Sequence, residues 1–350
     1  MKREYFLGGN TNKGFFSYYD YLAEGKEFNK IYIIKGGPGT GKSTTMKAVG
    51  KWGEDHDFDV DYVHCSSDPY SLDGVIIKEI GIAMVDGTAP HIVDPKNAGA
   101  VEVVVNMGEF WDENAIREHK AEIMQCNKEI SEHFAKAYNY LAAAGNLQCN
   151  CRLEVEEEKV AAAILDILNN IPEKSEKGCG KVRKLFSEAV TPEGIISYAD
   201  GFKYENKVVI KSEITGEGRA VTKKLKSKLI ERGYDLELFY SPFDPSDEIR
   251  HIIVPELNLC VITSDFLSLV DERKAMLIDV DEMAEKKSFG ADFLRNRLLM
   301  MTMIQQAIRA ISSAKRLHDK LEGYYVPNIN FDAMEKCREK IFKELEQFAQ

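Results

Sequence analysis

The sequence predicts an α/β protein made of two tandem units, each a parallel sheet with a helical extension. Three observations carry that expectation. A β-branched run at 30–34 feeds a glycine-rich loop that opens a helix; further short apolar runs alternate with helical segments; and the pattern recurs in the same order about 178 residues later. A chain of 350 residues has room for two domains, and its 44% hydrophobic and 29% charged residues are those of a globular protein.

Taken in order, Thr11, Gly14 and Tyr18 precede the first strong strand. The Thr-to-Gly spacing predicts the start of a helix whose aromatic face, Phe15, Phe16 and Tyr18, packs on the sheet, with an adenine or inter-lobe contact as the alternative. Lys30 to Ile34 reads as a buried parallel strand, and Lys42 to about Trp52 as a helix with Met46 and Val49 on its apolar side. Val60–His64 is the second predicted strand and Gly81–Val85 the third, ending at Asp86. From Asp112 to Asn170 the composition turns charged and Ala-rich, with helical spacing through Ile116, Ile123, Ile130 and Phe134 and again from Leu153 to Leu168. Residues 172–181, with Pro172, Gly178 and Gly180, read as a linker. The expected organisation is a nucleotide-binding domain at 1–171 with a helical appendage at about 112–170, and a second domain at 182–350 with C-terminal helices.

The second domain repeats the first. Phe6, Thr11, Gly14, Ser17 and Tyr18 return as Phe186, Thr191, Gly194, Ser197 and Tyr198; Lys30–Lys35 returns as Lys207–Lys211, Asp68-Pro69 as Asp244-Pro245, and Ala135-Lys136 as Ala314-Lys315. The chemistry does not return. Gly41-Lys42-Ser43 faces Gly218-Arg219-Ala220 at the end of the stretch that runs from Ser212 through Gly216 to Ala220, and Asp86 faces Thr263 after one register shift, with Asp265 two residues on.

Gly36-Gly37-Pro38-Gly39-Thr40-Gly41-Lys42-Ser43 is a complete G-x-x-x-x-G-K-[ST] pattern between a predicted strand and a predicted helix. Its glycines let backbone N–H groups converge on phosphate oxygens at the positive end of the helix, with Thr44 in the first turn; Lys42 would reach the outer phosphates and Ser43 would hold Mg²⁺. On these residues and Asp86 the chain resembles the P-loop NTPases. On Thr191 to Gly194, Cys65 to Pro69 and Asp86 to His91 it is similar to an uncharacterised family of bacterial two-lobed ATP-binding proteins with two P-loop units in tandem. That resemblance implies ATP binding and no particular substrate.

Asp86, at the carboxyl edge of its strand, is the expected second Mg²⁺ ligand, or else a turn former ahead of Gly87. Asp68 competes with it, as a group orienting water or a substrate hydroxyl or as an Asp-Pro turn. His91 reads as a solvated loop histidine, or else a sensor near the γ-phosphate. Gly87 stands where many hydrolytic relatives place a water-polarising Glu, which predicts slow turnover. Arg183 and Arg219 are surface arginines or cationic fingers reaching from the second lobe. Lys315, His318, Asp319 and Glu322 share one helical face, either solvated or substrate-facing.

The remaining features bound the class. A net charge of −11 argues against nucleic acid and anionic membranes. Seven cysteines, without paired metal spacing around Cys149 and Cys151, fit reduced thiols in a cytoplasmic protein, and no apolar stretch suggests a signal peptide or membrane span. The leading expectation is an Mg·ATP-binding protein that hydrolyses ATP slowly or when stimulated by a partner, with a regulatory second lobe. The rivals are a small-molecule or nucleotide kinase with an unidentified acceptor and an ATP-gated scaffold without turnover.

Overall fold

The computed structural model describes residues 2–22, 28–151, 154–174, 179–212, 217–284 and 290–350. Leu153, part of the expected linker (175–178) and the second loop's Gly216 with its neighbours 213–215 lie outside the described residues.

The protein is α/β, with two six-stranded mixed sheets of corresponding strand order. The first runs β1 (Lys2–Tyr5), β5 (Val60–His64), β6 (Leu72–Ile77), β7 (Ile82–Asp86), β4 (Lys30–Lys35), β8 (Glu102–Asn106). The second runs β9 (Val182–Leu185), β13 (Leu236–Ser241), β14 (Asp244–Val254), β15 (Leu259–Ser264), β12 (Asn206–Lys211), β16 (Met276–Asp279). Registers correspond too: Ile34 pairs with Asp86, and Ile210 with Thr263.

The purely parallel sheets expected from the sequence are not formed, because β6 and β14 run antiparallel to both neighbours. The cause is local. A parallel return needs a crossover of a dozen residues or more, whereas β5 reaches β6 through a tight turn in which the Ser71 N–H and hydroxyl both donate to Asp68, to its carbonyl and to its carboxylate.

The helix expected at Thr11 is also absent. Gly8–Thr11 (β2) and Gly14–Ser17 (β3) form a hairpin, repeated by Glu188–Thr191 (β10) and Gly194–Ser197 (β11). Each threonine hydroxyl donates to the glycine carbonyl three residues on at 2.8 Å, and Gly14 and Gly194 take φ of 88° and 125°, which a side chain would resist. These hairpins meet between the lobes. Phe6 and Phe186 exchange backbone hydrogen bonds of 2.9 and 3.0 Å, and Tyr18 packs on Phe186 and Tyr240 and donates to the Pro245 carbonyl, so the alternative expectation of an inter-lobe contact describes this element. One apolar core, through Tyr5, Phe6, Phe186 and Phe239, runs across both halves.

Seven helices surround the sheets among the described residues. The two long ones, α3 (Lys120–Asn150) and α6 (Ala291–Tyr325), lie antiparallel: Ile123 and Cys126 at the start of α3 cluster with Leu321 of α6, while Cys151 just past α3 meets Phe293. The helix after each long helix crosses over. α4 (Glu157–Asn169) packs Val160, Ile164 and Ile167 in one cluster with Val221, Leu225 and Leu229 of α5 (Arg219–Glu231), in the second lobe. α7 (Phe331–Phe348) packs Met334, Ile341 and Leu345 in a cluster with Tyr32, Val49 and Val60 of the first, on the face that carries α1 (Lys42–Asp55). α2 (Glu113–Glu118) precedes α3, capped by the Asp112 side chain. No helix of the described residues is long and apolar enough to cross a membrane.

Candidate functional site

The Gly36–Ser43 loop leaves the carboxyl end of β4, whose Ile31, Tyr32, Ile33 and Ile34 are all buried as a covered central strand requires. It turns into α1 through Gly39 and Gly41, at φ 71° and 70°. No side chain caps the first turn of α1, so its N–H groups face the loop without a side-chain acceptor. Lys42 folds back into the loop, donating to the Gly36 and Gly37 carbonyls at 2.9 Å each, and stands 3.6 Å from Asp86 Oδ2 on the adjacent β7. Thr40 donates to Gly37 O, and the Thr88 N–H donates to Asp86 Oδ1 at 2.8 Å. Ser43 Oγ accepts from Leu72 N at 2.9 Å, which ties the helix start to β6. Loop, lysine and acid are thus brought together, while Pro38 and Thr44 belong to the same loop and first turn.

The second half closes over this loop. A Cβ on Gly39 would stand 2.5 Å from Val326 Cγ2, and one on Gly37 2.9 Å from the Trp111 ring and 3.3 Å from that of Tyr325. Gly39→Ala combines that clash with a strained φ, so we expect a stability loss of about 1–2 kcal/mol in urea titrations, part of which Val326→Ala restores. An unchanged midpoint would show that Val326, just past α6, does not press on the loop. An open depression of about 450 Å³ lies beside Trp111, lined also by Asn328 and Asn330.

The polar face of α6 borders the loop at Glu322, whose Cβ would stand 3.8 Å from a Cβ on Gly39. Lys315 Nζ is 3.4 Å from Asp68 Oδ2 and pairs with Asp319, and His318 Nδ1 is 3.7 Å from Glu322 Oε1. Burial holds His318 below the usual histidine range, with Lys42 among the charges acting on it. Asp68 forms the turn of its alternative reading and also pairs with α6.

Two expectations, those for Arg183 and His91, are corrected, while Arg219 stays partly exposed. Arg183 is neither a surface group nor a finger: it lies on β9, 4% exposed, donating to Glu237 at 2.9 Å and to the Tyr5 hydroxyl at 2.8 Å. Its counterpart Arg3 donates to Asp61 at 3.1 Å and to Glu237 at 2.7 Å, which closes a buried four-charge group between the lobes. Arg219 opens α5 as Lys42 opens α1, but it pairs with Glu217 of its own lobe at 3.1 Å. His91 is not solvated: it is 8% exposed, packed on Phe15 and Tyr19, with Nε2 3.1 Å from Asp73 Oδ2.

Sequence reasoning missed Asp73 and the company it keeps. Cys65, Asp73 and His91 place ligand-type atoms within 4.8 Å of one another. Burial pushes Asp73 up to about 6, against the pull of His91, and holds the Cys65 thiol well above its ordinary range, with Asp73 adding to the effect. The signal available was Cys65 directly after one predicted strand and His91 five residues past the end of the next; Asp73 had none, since its strand was not foreseen. Cys149 and Cys151, by contrast, join no such cluster among the described residues. Compared with family models, curated proteins and solved structures, the chain matches none.

Proposed function

We propose that the first lobe binds Mg·ATP on the Gly36–Ser43 loop, in the manner of the P-loop NTPases, and hydrolyses it slowly or when a partner engages, the second lobe being regulatory. One observation carries this: the uncapped first turn of α1 faces a glycine-rich loop whose lysine already lies 3.6 Å from an acid on the neighbouring strand. The residues fit the nucleotide. Gly36 to Thr44 offer backbone donors to phosphate oxygens, Lys42 trades its loop carbonyls for the outer phosphates, and Ser43 and Asp86 would hold Mg²⁺. The metal, when bound, neutralises charge on the β- and γ-phosphates. Gly87 after Asp86 leaves water without an adjacent carboxylate activator, which supports slow turnover.

Among its described residues the second lobe lacks the partners of this chemistry. Thr263, in the Asp86 register, donates to the Arg250 carbonyl at 2.6 Å, and Arg219 is engaged with Glu217. Calorimetric titration is therefore expected to give one Mg·ATP per chain. Two independent tight sites would overturn the asymmetry.

A kinase is the second reading, favoured by the polar face of α6, where Glu322 stands beside Gly39 and Lys315 meets Asp68, so that an acceptor would sit there. ADP release that rises only when a hydroxyl-bearing metabolite is added separates it from hydrolysis.

A further inference from the structure

We propose that Cys65, Asp73 and His91 form a binding site for a zinc-type transition-metal cation, at the loop-bearing edge of the first sheet and separate from any Mg²⁺ at Ser43 and Asp86. The topology builds it. Cys65 directly follows β5, His91 follows β7 by five residues, and Asp73 lies at the start of β6, whose antiparallel direction returns that start to the same edge.

The donor set is one thiol, one imidazole and one carboxylate, all within 4.8 Å. Zinc takes these three at roughly 2.0–2.3 Å, and three protein ligands leave a fourth position open to water or substrate. A thiolate selects against Mg²⁺, which prefers oxygen ligands. Two of the groups also lack satisfaction: Asp73 Oδ2 and His91 Nδ1 are buried without a hydrogen-bond partner, Oδ2 standing 3.1 Å from His91 Nε2 without the alignment of a hydrogen bond. Tyr19, whose ring lies 5.2 Å from that of His91, has an unpartnered buried hydroxyl as well. Buried polar atoms are rarely left so unless something binds them.

The second lobe supplies an internal comparison. By register, Cys65 corresponds to Ser241 and Asp73 to Arg250, and the offset that takes Asp86 to Thr263 takes His91 to Ser268. Arg250 there donates to Asp265 at 2.8 Å and to Glu188 at 3.4 Å, and Ser268 shares a 2.7 Å hydrogen bond with Ser197. That lobe carries a covalent cation where the first has an acid, and all the unpartnered buried side-chain atoms among the described residues belong to residues 12–91. The first lobe has the ligands and must take its cation from solution.

The test uses the whole chain, stripped with chelator and titrated with Co²⁺ and then Zn²⁺. We expect one Co²⁺ per chain, with thiolate-to-cobalt charge transfer and visible bands of tetrahedral intensity, displaced by Zn²⁺. Cys65→Ser and His91→Ala should each weaken Zn²⁺ binding at least ~100-fold, while Cys149→Ser changes nothing. Circular dichroism of each variant separates ligand loss from unfolding. The proposal fails if the wild-type chain shows no thiolate-cobalt band, a result independent of any variant's folding, or if the band survives in Cys65→Ser.

Discussion

Arg183→Ala is expected to cost about 3–5 kcal/mol of stability, read as a fall in the urea midpoint, because it strips one cation from a buried group of four charges. Glu237 is held by Arg183 and Arg3, with side chains 5% exposed on both arginines and 10% on the carboxylate, so water replaces little of what is lost when one arginine is removed. Burial alone would raise its pKa, yet the two guanidinium groups outweigh burial and hold it at about 2, down from its ordinary 4.5. A depressed carboxylate stabilises the fold fully above its unfolded value. That contribution, roughly 3 kcal/mol, should therefore be lost as pH falls from about 4.5 toward 2. Glu188, held at about 2 against burial by Arg250 and His251, adds a second loss over the same window. A wild-type midpoint for Arg183→Ala, with ATP turnover reduced instead, would restore the arginine-finger role that its position argues against.

Lys42→Ala should lower Mg·ATP affinity by one to two orders of magnitude, since a charge-assisted contact is worth roughly 1.5–3 kcal/mol. Without nucleotide the ammonium is bonded only to the loop's own carbonyls and to Asp86, with both partners of that ion pair 14% exposed, so its removal should leave the fold in place. Arg219→Ala, in the same titration, should leave affinity unchanged. Equal affinities for wild type and Lys42→Ala would remove the nucleotide from this loop altogether.

Legibility followed local density of signal. The loop, β4, α1 and the strand ending at Asp86 were readable because a motif and two periodic segments adjoin within sixty residues, and the Thr263 correspondence survives as register. β6 was hidden: Leu72 to Ile77 is buried on both faces and so shows no alternation, and Asp73-Gly74 looks like a turn. The hairpins were misread because Thr-x-x-Gly suits a helix start as well as a tight turn, and only the 180-residue partner, Phe186 against Phe6, decides. Arg183 and Asp73 were illegible for one reason: their partners lie on other strands, and no spacing along the chain encodes such meetings.

The exchange of α4 and α7 gives the two lobes different histories during synthesis. α4 leaves the ribosome before any strand of the sheet it covers, so the second lobe finds its last helix waiting. The first lobe is made earliest yet must wait for residues beyond 330, and until α7 arrives the face of Tyr32, Val49 and Val60 has no cover from it. The Gly36–Ser43 loop likewise lacks the Val326 and Met334 contacts until then. Nascent chains therefore hold an incomplete loop until residues 326–345, which follow every strand of the second sheet, have been made.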